Sequence, residues 1–251
     1  MGSIVISAIM FACTFGSALA ALLLRARLPE GHLSEDTKDV VKLGVALVAT
    51  MAALVLGLLT ASAKGAYDAR GKQILQISAD VILLDSSLAH YGPEADRARA
   101  MLRASVAAAV DQFWPARGGP PATLDRRATS VEGVVDEIQR IAPRDDAQRG
   151  YRAEAMAVAF DLARTRVLLF QELGDSIPAP FLVVLVSWLC AIFASFGLFA
   201  PRNGTVVATL CVCALSVAGA VLLILELERP FSGLFQVSEA PLRAALVQIG
   251  P

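Results

Sequence analysis

The chain has 251 residues, 56% of them hydrophobic, and 22 Lys and Arg stand against 23 Asp and Glu. That apolar excess excludes an ordinary soluble domain, and the balanced charge excludes the broad basic field that condenses on nucleic acid. The four cysteines, Cys13, Cys190, Cys211 and Cys213, all lie inside apolar runs, where a thiol is a small hydrophobe rather than half of a disulfide framework.

Four uncharged runs are long enough to cross about 30 Å of hydrocarbon, which takes roughly 20 helical residues. They are Ser3 to Leu24, Gly44 to Ala63, Ala179 to Ala200 and Gly204 to Leu225. Continuous runs predict helices, because a barrel strand is short and alternates. Ala18, Leu19 and Ala20 resemble a cleavage site, but no Lys or Arg precedes the first run, and Arg25 and Arg27 follow it as they follow an anchor.

Between the second and third runs, residues 64–178 hold 31 of the chain's 45 charged residues. Ile74, Ile77, Val81, Leu84 and Leu88 repeat at spacings of three and four, and nothing breaks the series where it leaves the second run. The second membrane helix therefore continues beyond the bilayer. The same spacing recurs in Leu102, Val106, Ala109 and Phe113, in Leu124, Val131, Val134, Ile138 and Ile141, and in Val158, Leu162, Thr165, Leu169 and Leu173. Gly92 with Pro93, the run 118–121 and Pro143 separate these four amphipathic helices. An antiparallel bundle with short connections is the economical assembly. The fold class is an all-α membrane protein in which two pairs of transmembrane helices, 1–63 and 179–228, flank a water-exposed bundle at 64–178, with a C-terminal tail at 229–251.

The short loops opposite the bundle carry Arg25, Arg27, Lys38, Lys42 and Arg202, which points them to the cytoplasm of a bacterial inner membrane. The bundle and both termini then lie outside, although Lys64, Arg70, Lys72, Arg164, Arg166, Arg229 and Arg243 argue the reverse.

Catalytic and cofactor chemistry finds no support. The stretch from Gly65 to Gln73 has one residue too many between its glycines for a phosphate loop and no hydroxyl for Mg²⁺. His32 and His90 stand alone, and Cys211 and Cys213 point to different parts of a helix surface. Asp145 with Asp146 and Asp136 with Glu137 read as solvated faces. The chain is expected to be no enzyme and to hold no metal or cofactor. The spans also lack the internal charges that pumps use; they carry small and hydroxylated residues that suit close helix contact or a passive pore.

The last span ends in Glu226, Glu228, Arg229, Pro230, Phe231 and Gly233. Here Pro230 stops the helix, Phe231 is placed to anchor at the interface and Gly233 to turn the chain. Acids at a helix C-terminus oppose its dipole, so a basic partner is expected for them. In an oligomer whose axis lies near this helix, the acids form a ring at one mouth of a pore and favour cations.

The run from Glu228 to Gly233 followed by Val237 and Ser238, the Tyr67-Asp68-Ala69 exit and the Trp114-Pro115 break resemble a bacterial membrane family of unknown function sometimes labelled bestrophin-like. Glu226 is an additional acid beside that pattern, and Phe113 stands where an acid often precedes the Trp-Pro pair. The likeness spans nearly the whole chain. It implies an oligomeric anion channel, since bestrophins are pentameric chloride channels with paired membrane helices and a helical domain. Two functions are carried forward: a homo-oligomeric passive ion channel, or a non-conducting scaffold or sensor whose bundle binds a protein partner. The lipid bilayer and further copies of the chain are the expected partners.

Overall fold

A computed structural model describes residues 2–27, 35–114, 131–172, 179–231 and 233–249. The α-helices among them are α1 (Ser3–Leu24), α2 (Glu35–Tyr91), α3 (Asp96–Phe113), α4 (Glu132–Arg140), α5 (Asp146–Glu172), α6 (Ala179–Phe199), α7 (Gly204–Leu227) and α8 (Ala240–Gln248). Helices α1, α2, α6 and α7 contain the four spans. The expected continuation of the second span is present: α2 is one helix of 57 residues, and Gly65 to Gln73 lies inside it. The positions Leu124, Pro115 and Leu173 lie outside the described residues. The chain divides into two compact units, Met1–Ala66 with Ser176–Glu228, and Tyr67–Asp175 with Arg229–Pro251.

In the first unit α1 and α6 run parallel in close contact. Ser17 Oγ donates to the Cys190 carbonyl at 3.1 Å, and a methyl group placed on Gly197 would stand 2.0 Å from the Ala18 carbonyl oxygen. Small residues permit this approach between apolar helices. The C-terminal carbonyls of both helices, which no intrahelical donor reaches, are met by arginines. Arg25 donates to Ala200 O, and Arg202 donates to Leu22 O at 3.1 and 2.9 Å and to Leu23 O at 2.9 Å. Two residues whose charge marks loop orientation thus also cap helix ends, where cations suit the dipole. Asn203 starts α7 by accepting from Val206 N at 2.9 Å. Met10, Ala52, Leu185, Leu189, Ile192, Val221 and Leu225 form one apolar core here, and Ala18, Phe193, Leu210 and Ala214 a second.

The second unit is built on the predicted stripes. Ile74, Val81, Leu84 and Leu88 of α2 pack with Leu102 and Val106 of α3, Val134 and Ile138 of α4, and Leu162 and Leu169 of α5. Gly92, at φ 118°, supplies the left-handed residue that ends α2. Asp85 holds Arg99 through two bonds of 2.8 and 3.1 Å, which tie α3 back onto α2. At the start of α5, Asp145 Oδ1 accepts from Gln148 N at 2.7 Å, while Gln148 Nε2 donates to Tyr91 O at 3.1 Å. Asp145, read as a solvated acid, is therefore a helix cap. The chain after Arg229, left as a tail by its composition, carries α8. Its Leu242 and Ala245, together with Val237 and Ile249, join the bundle core, and Arg103 donates to Leu246 O at 3.2 Å.

Candidate functional site

The three motif segments singled out in the sequence, around Tyr67, Trp114 and residues 229–238, meet in the second unit. Pro230 blocks helix continuation, and its carbonyl accepts from Val237 N at 2.7 Å, which closes the segment into a loop. Trp114, the residue that ends α3, donates from Nε1 to Val237 O at 2.8 Å. Tyr67 donates from its hydroxyl to Gln236 O at 3.1 Å. Gly233, at φ 135°, provides a conformation that a side chain would strain.

Phe231 has a role different from the expected interfacial anchor. Its ring lies 4.8 Å from Phe113 and 5.3 Å from Trp114 in tilted and edge-on geometries, and Phe113 also meets Phe170 at 5.6 Å. Such arrangements add to simple apolar burial. Phe113 occupies the position where the resemblance led one to look for an acid, and an aromatic there is what allows this cluster. No periodicity in the sequence could have brought Phe113, Phe170 and Phe231 together, since the turn that presents Phe231 follows from local backbone geometry.

The acids before the boundary differ from each other. Glu226, the last buried residue of α7, is 5% exposed, while Glu228 caps the helix and is half-buried; Arg229 is exposed and Pro230 buried. Glu226 is thus packed within a single chain.

Among the spans, α2 is the least covered: 6% of its apolar window is buried, against 22 to 28% for the other three. One stripe, Val45, Val48, Ala49, Ala52, Leu56 and Leu59, packs into the core of the first unit. A second, Val40, Leu43, Leu47, Met51, Leu54 and Leu58, is large, apolar and exposed. A third, Ala46, Thr50, Ala53, Gly57 and Thr60, is small or hydroxylated and also exposed, and Lys64 continues it one turn on. The Thr50 and Thr60 hydroxyls donate to carbonyls four residues back at 2.8 Å, as helical threonines do in an apolar setting.

Beyond the span, Asp80 on α2 is buried, with Oδ1 accepting from Gln76 Nε2 at 2.8 Å and Oδ2 without a hydrogen bond. Burial raises its pKa; the Gln76 bond lowers it and the Asp161 carboxylate on α5 raises it further. An apolar cavity of about 40 Å³ lies in the bundle between Ile77, Val106, Phe113 and Leu162. No cluster of three His, Cys, Asp or Glu side chains gathers among the described residues.

A family model described as the Bestrophin-like domain matches residues 12–242. The chain belongs to the bestrophin-like family. A crystal structure of a bacterial bestrophin homologue from Klebsiella pneumoniae, carrying a single mutation, is similar with a TM-score of 0.67 over 96% of each chain, at 12% identity. That likeness extends to the fold: an all-α membrane protein with two pairs of spans around a helical bundle. No curated protein matches this bestrophin-like chain.

Proposed function

We propose that this bestrophin-like protein assembles with copies of itself into a passive ion channel, lined by the third stripe of α2. The observation that carries the reading is the three-faced character of α2 within its span. A monomer needs one packed face and one lipid face, and large apolar side chains supply the latter. The additional stripe of Ala46, Thr50, Ala53, Gly57 and Thr60 suits an axis, because small and hydroxylated residues leave room for a path and carry no fixed charge. Lys64 stands in register at one end of it, so a ring of subunits presents a ring of ammonium groups there. This favours anions, in keeping with the family label and against the cation preference expected from the acids at the end of α7. Burial of Glu226 supports the same choice.

The test is current through planar bilayers under a salt gradient, after the purified protein has been shown to be a stable ring of four or more copies. Lys64→Gln is expected to move the reversal potential towards cations, with Glu228→Gln leaving it in place. A shift in Glu226→Gln or Glu228→Gln alone transfers the path to the mouth beside α7. A folded monomer or dimer, or a ring without current, favours the non-conducting scaffold or sensor instead.

A further inference from the structure

Three arginines gather at one end of the first unit. Arg25 and Arg27 belong to the short turn that follows α1, and Arg202 stands between the end of α6 and the start of α7. Arg25 donates from Nη1 to Ala200 O, while Arg202 donates from Nε and Nη2 to Leu22 O and from Nη2 to Leu23 O. The two side chains therefore cross between the helix ends and are held there. Arginine presents five N–H donors in a rigid fork, so Nη1 of Arg202 and the Nε and Nη2 groups of Arg25 keep donors for a further acceptor.

No carboxylate meets this cluster. Among the described residues no ion pair includes Arg25, Arg27 or Arg202; at the start of α2, Glu35 and Asp39 are taken by Lys38 and Lys42 at 2.7 and 3.0 Å, and Asp36 pairs with none of the three. The carbonyl ends of α1 and α6 offset about half a charge each, which leaves roughly two positive charges in excess. The N-terminus of α7, capped by Asn203, adds its own positive dipole end.

The level of the cluster is set by its own spans. Arg25 directly follows Leu24, the last residue of an uncharged run, where basic side chains meet headgroups. On the hydrocarbon side of it, Leu23 and Leu24 are 69% and 53% exposed, and Phe196, one turn before Ala200 on α6, is 50% exposed. Fixed guanidinium groups without a counter-charge, beside an open apolar surface, suit a molecule that carries an anion at one end and acyl chains at the other.

We propose that Arg25, Arg27 and Arg202 form a binding site for a phosphate group, presented by an anionic phospholipid whose chains lie along Leu23, Leu24 and Phe196. Basic pockets between membrane helices take such headgroups. The inference rests on the membrane fold alone and is independent of conduction.

The test is lipid retention by the full chain in mild detergent, read by native mass spectrometry with phosphatidylglycerol or phosphatidylcholine added at equal concentrations. Phosphatidylglycerol is expected to be retained several-fold more than phosphatidylcholine, and Arg27→Gln to lose most of that preference. Arg27 makes no hydrogen bond or ion pair among the described residues, so this change leaves both helix ends capped. Lys42→Gln removes an equal charge outside the cluster and should leave the preference in place. Equal losses in the two variants mean diffuse attraction to the surface and overturn the proposal, as does a wild-type chain without preference. Inorganic phosphate, added at constant ionic strength, is expected to leave the lipid bound; its displacement of the lipid would give the site to soluble phosphate and overturn the lipid assignment.

Discussion

Removing the Phe231 ring should release the whole 230–238 loop from the bundle, because the contacts around it depend on one another. Phe231→Ala loses apolar contact with Phe113 and Trp114, a change that costs about 3–5 kcal/mol for a fully buried ring. Phe231 is only half-buried, so about 2–3 kcal/mol is expected, including the ring-pair contribution. Tyr67→Phe removes one hydroxyl bond to Gln236 O, worth about 1 kcal/mol. If the loop detaches without its ring, the hydroxyl has nothing left to hold, and Tyr67→Phe then costs nothing further in the Phe231→Ala background. A coupling energy near 1 kcal/mol follows. Unfolding in detergent would supply the four stabilities of the cycle, with Trp188→Phe in every chain so that Trp114 reports alone. Its emission should shift to the red in Phe231→Ala as the indole loses Val237 O. Costs that add within about 0.3 kcal/mol, with unchanged Trp114 emission, would refute the idea of one interdependent loop.

Gly197→Ala should prevent the α1–α6 contact, since its methyl group would sit 2.0 Å from Ala18 O, while Gly16→Ala on the same pair of helices meets nothing within 4 Å and should be tolerated. Yield of monodisperse protein in mild detergent checks the difference. For Asp80 the folded pKa is raised above the ordinary 3.8, so the folded state holds the proton more tightly than the unfolded one. Its contribution therefore favours folding at low pH and is lost as pH rises from 3.8 through the raised value. Asp80→Asn should remove that component and leave the protein at least as stable at pH 7, as read from thermal unfolding across pH 4–7.

The spans and the bundle stripes were legible because each depends on a property summed over many residues. The Ser3–Leu24 run and the Ile74–Leu88 series would survive most single changes. The loop and α8 were not, because their placement depends on few residues. Nine residues of α8 bury Leu242 and Ala245, too short a stripe to separate from a tail. Phe231 carries no sign of whether it faces lipid or Trp114, and the choice follows from Pro230 and Gly233 directing the backbone. Glu226 and Glu228 look alike in the sequence, yet one is buried and the other partly open, because two residues along a helix are some 200° apart.

The arginine exchange at the ends of α1 and α6 has a consequence for how the protein is made. Arg25 precedes its acceptor Ala200 by 175 positions, and Leu22 precedes Arg202 by 180. At translation rates of roughly 5–20 residues per second, α1 enters the bilayer about 9–35 s before the residues that satisfy its end have been synthesised. Through that interval the Leu22 carbonyl must be served by water or headgroups, while Leu23 O keeps the Arg25 backbone N–H, and the surface around Ala18 that later receives Gly197 must stay open. The first span is thus inserted early and completed last, and a chain stopped before α6 would leave an unfinished helix exposed to the quality-control proteases of the membrane.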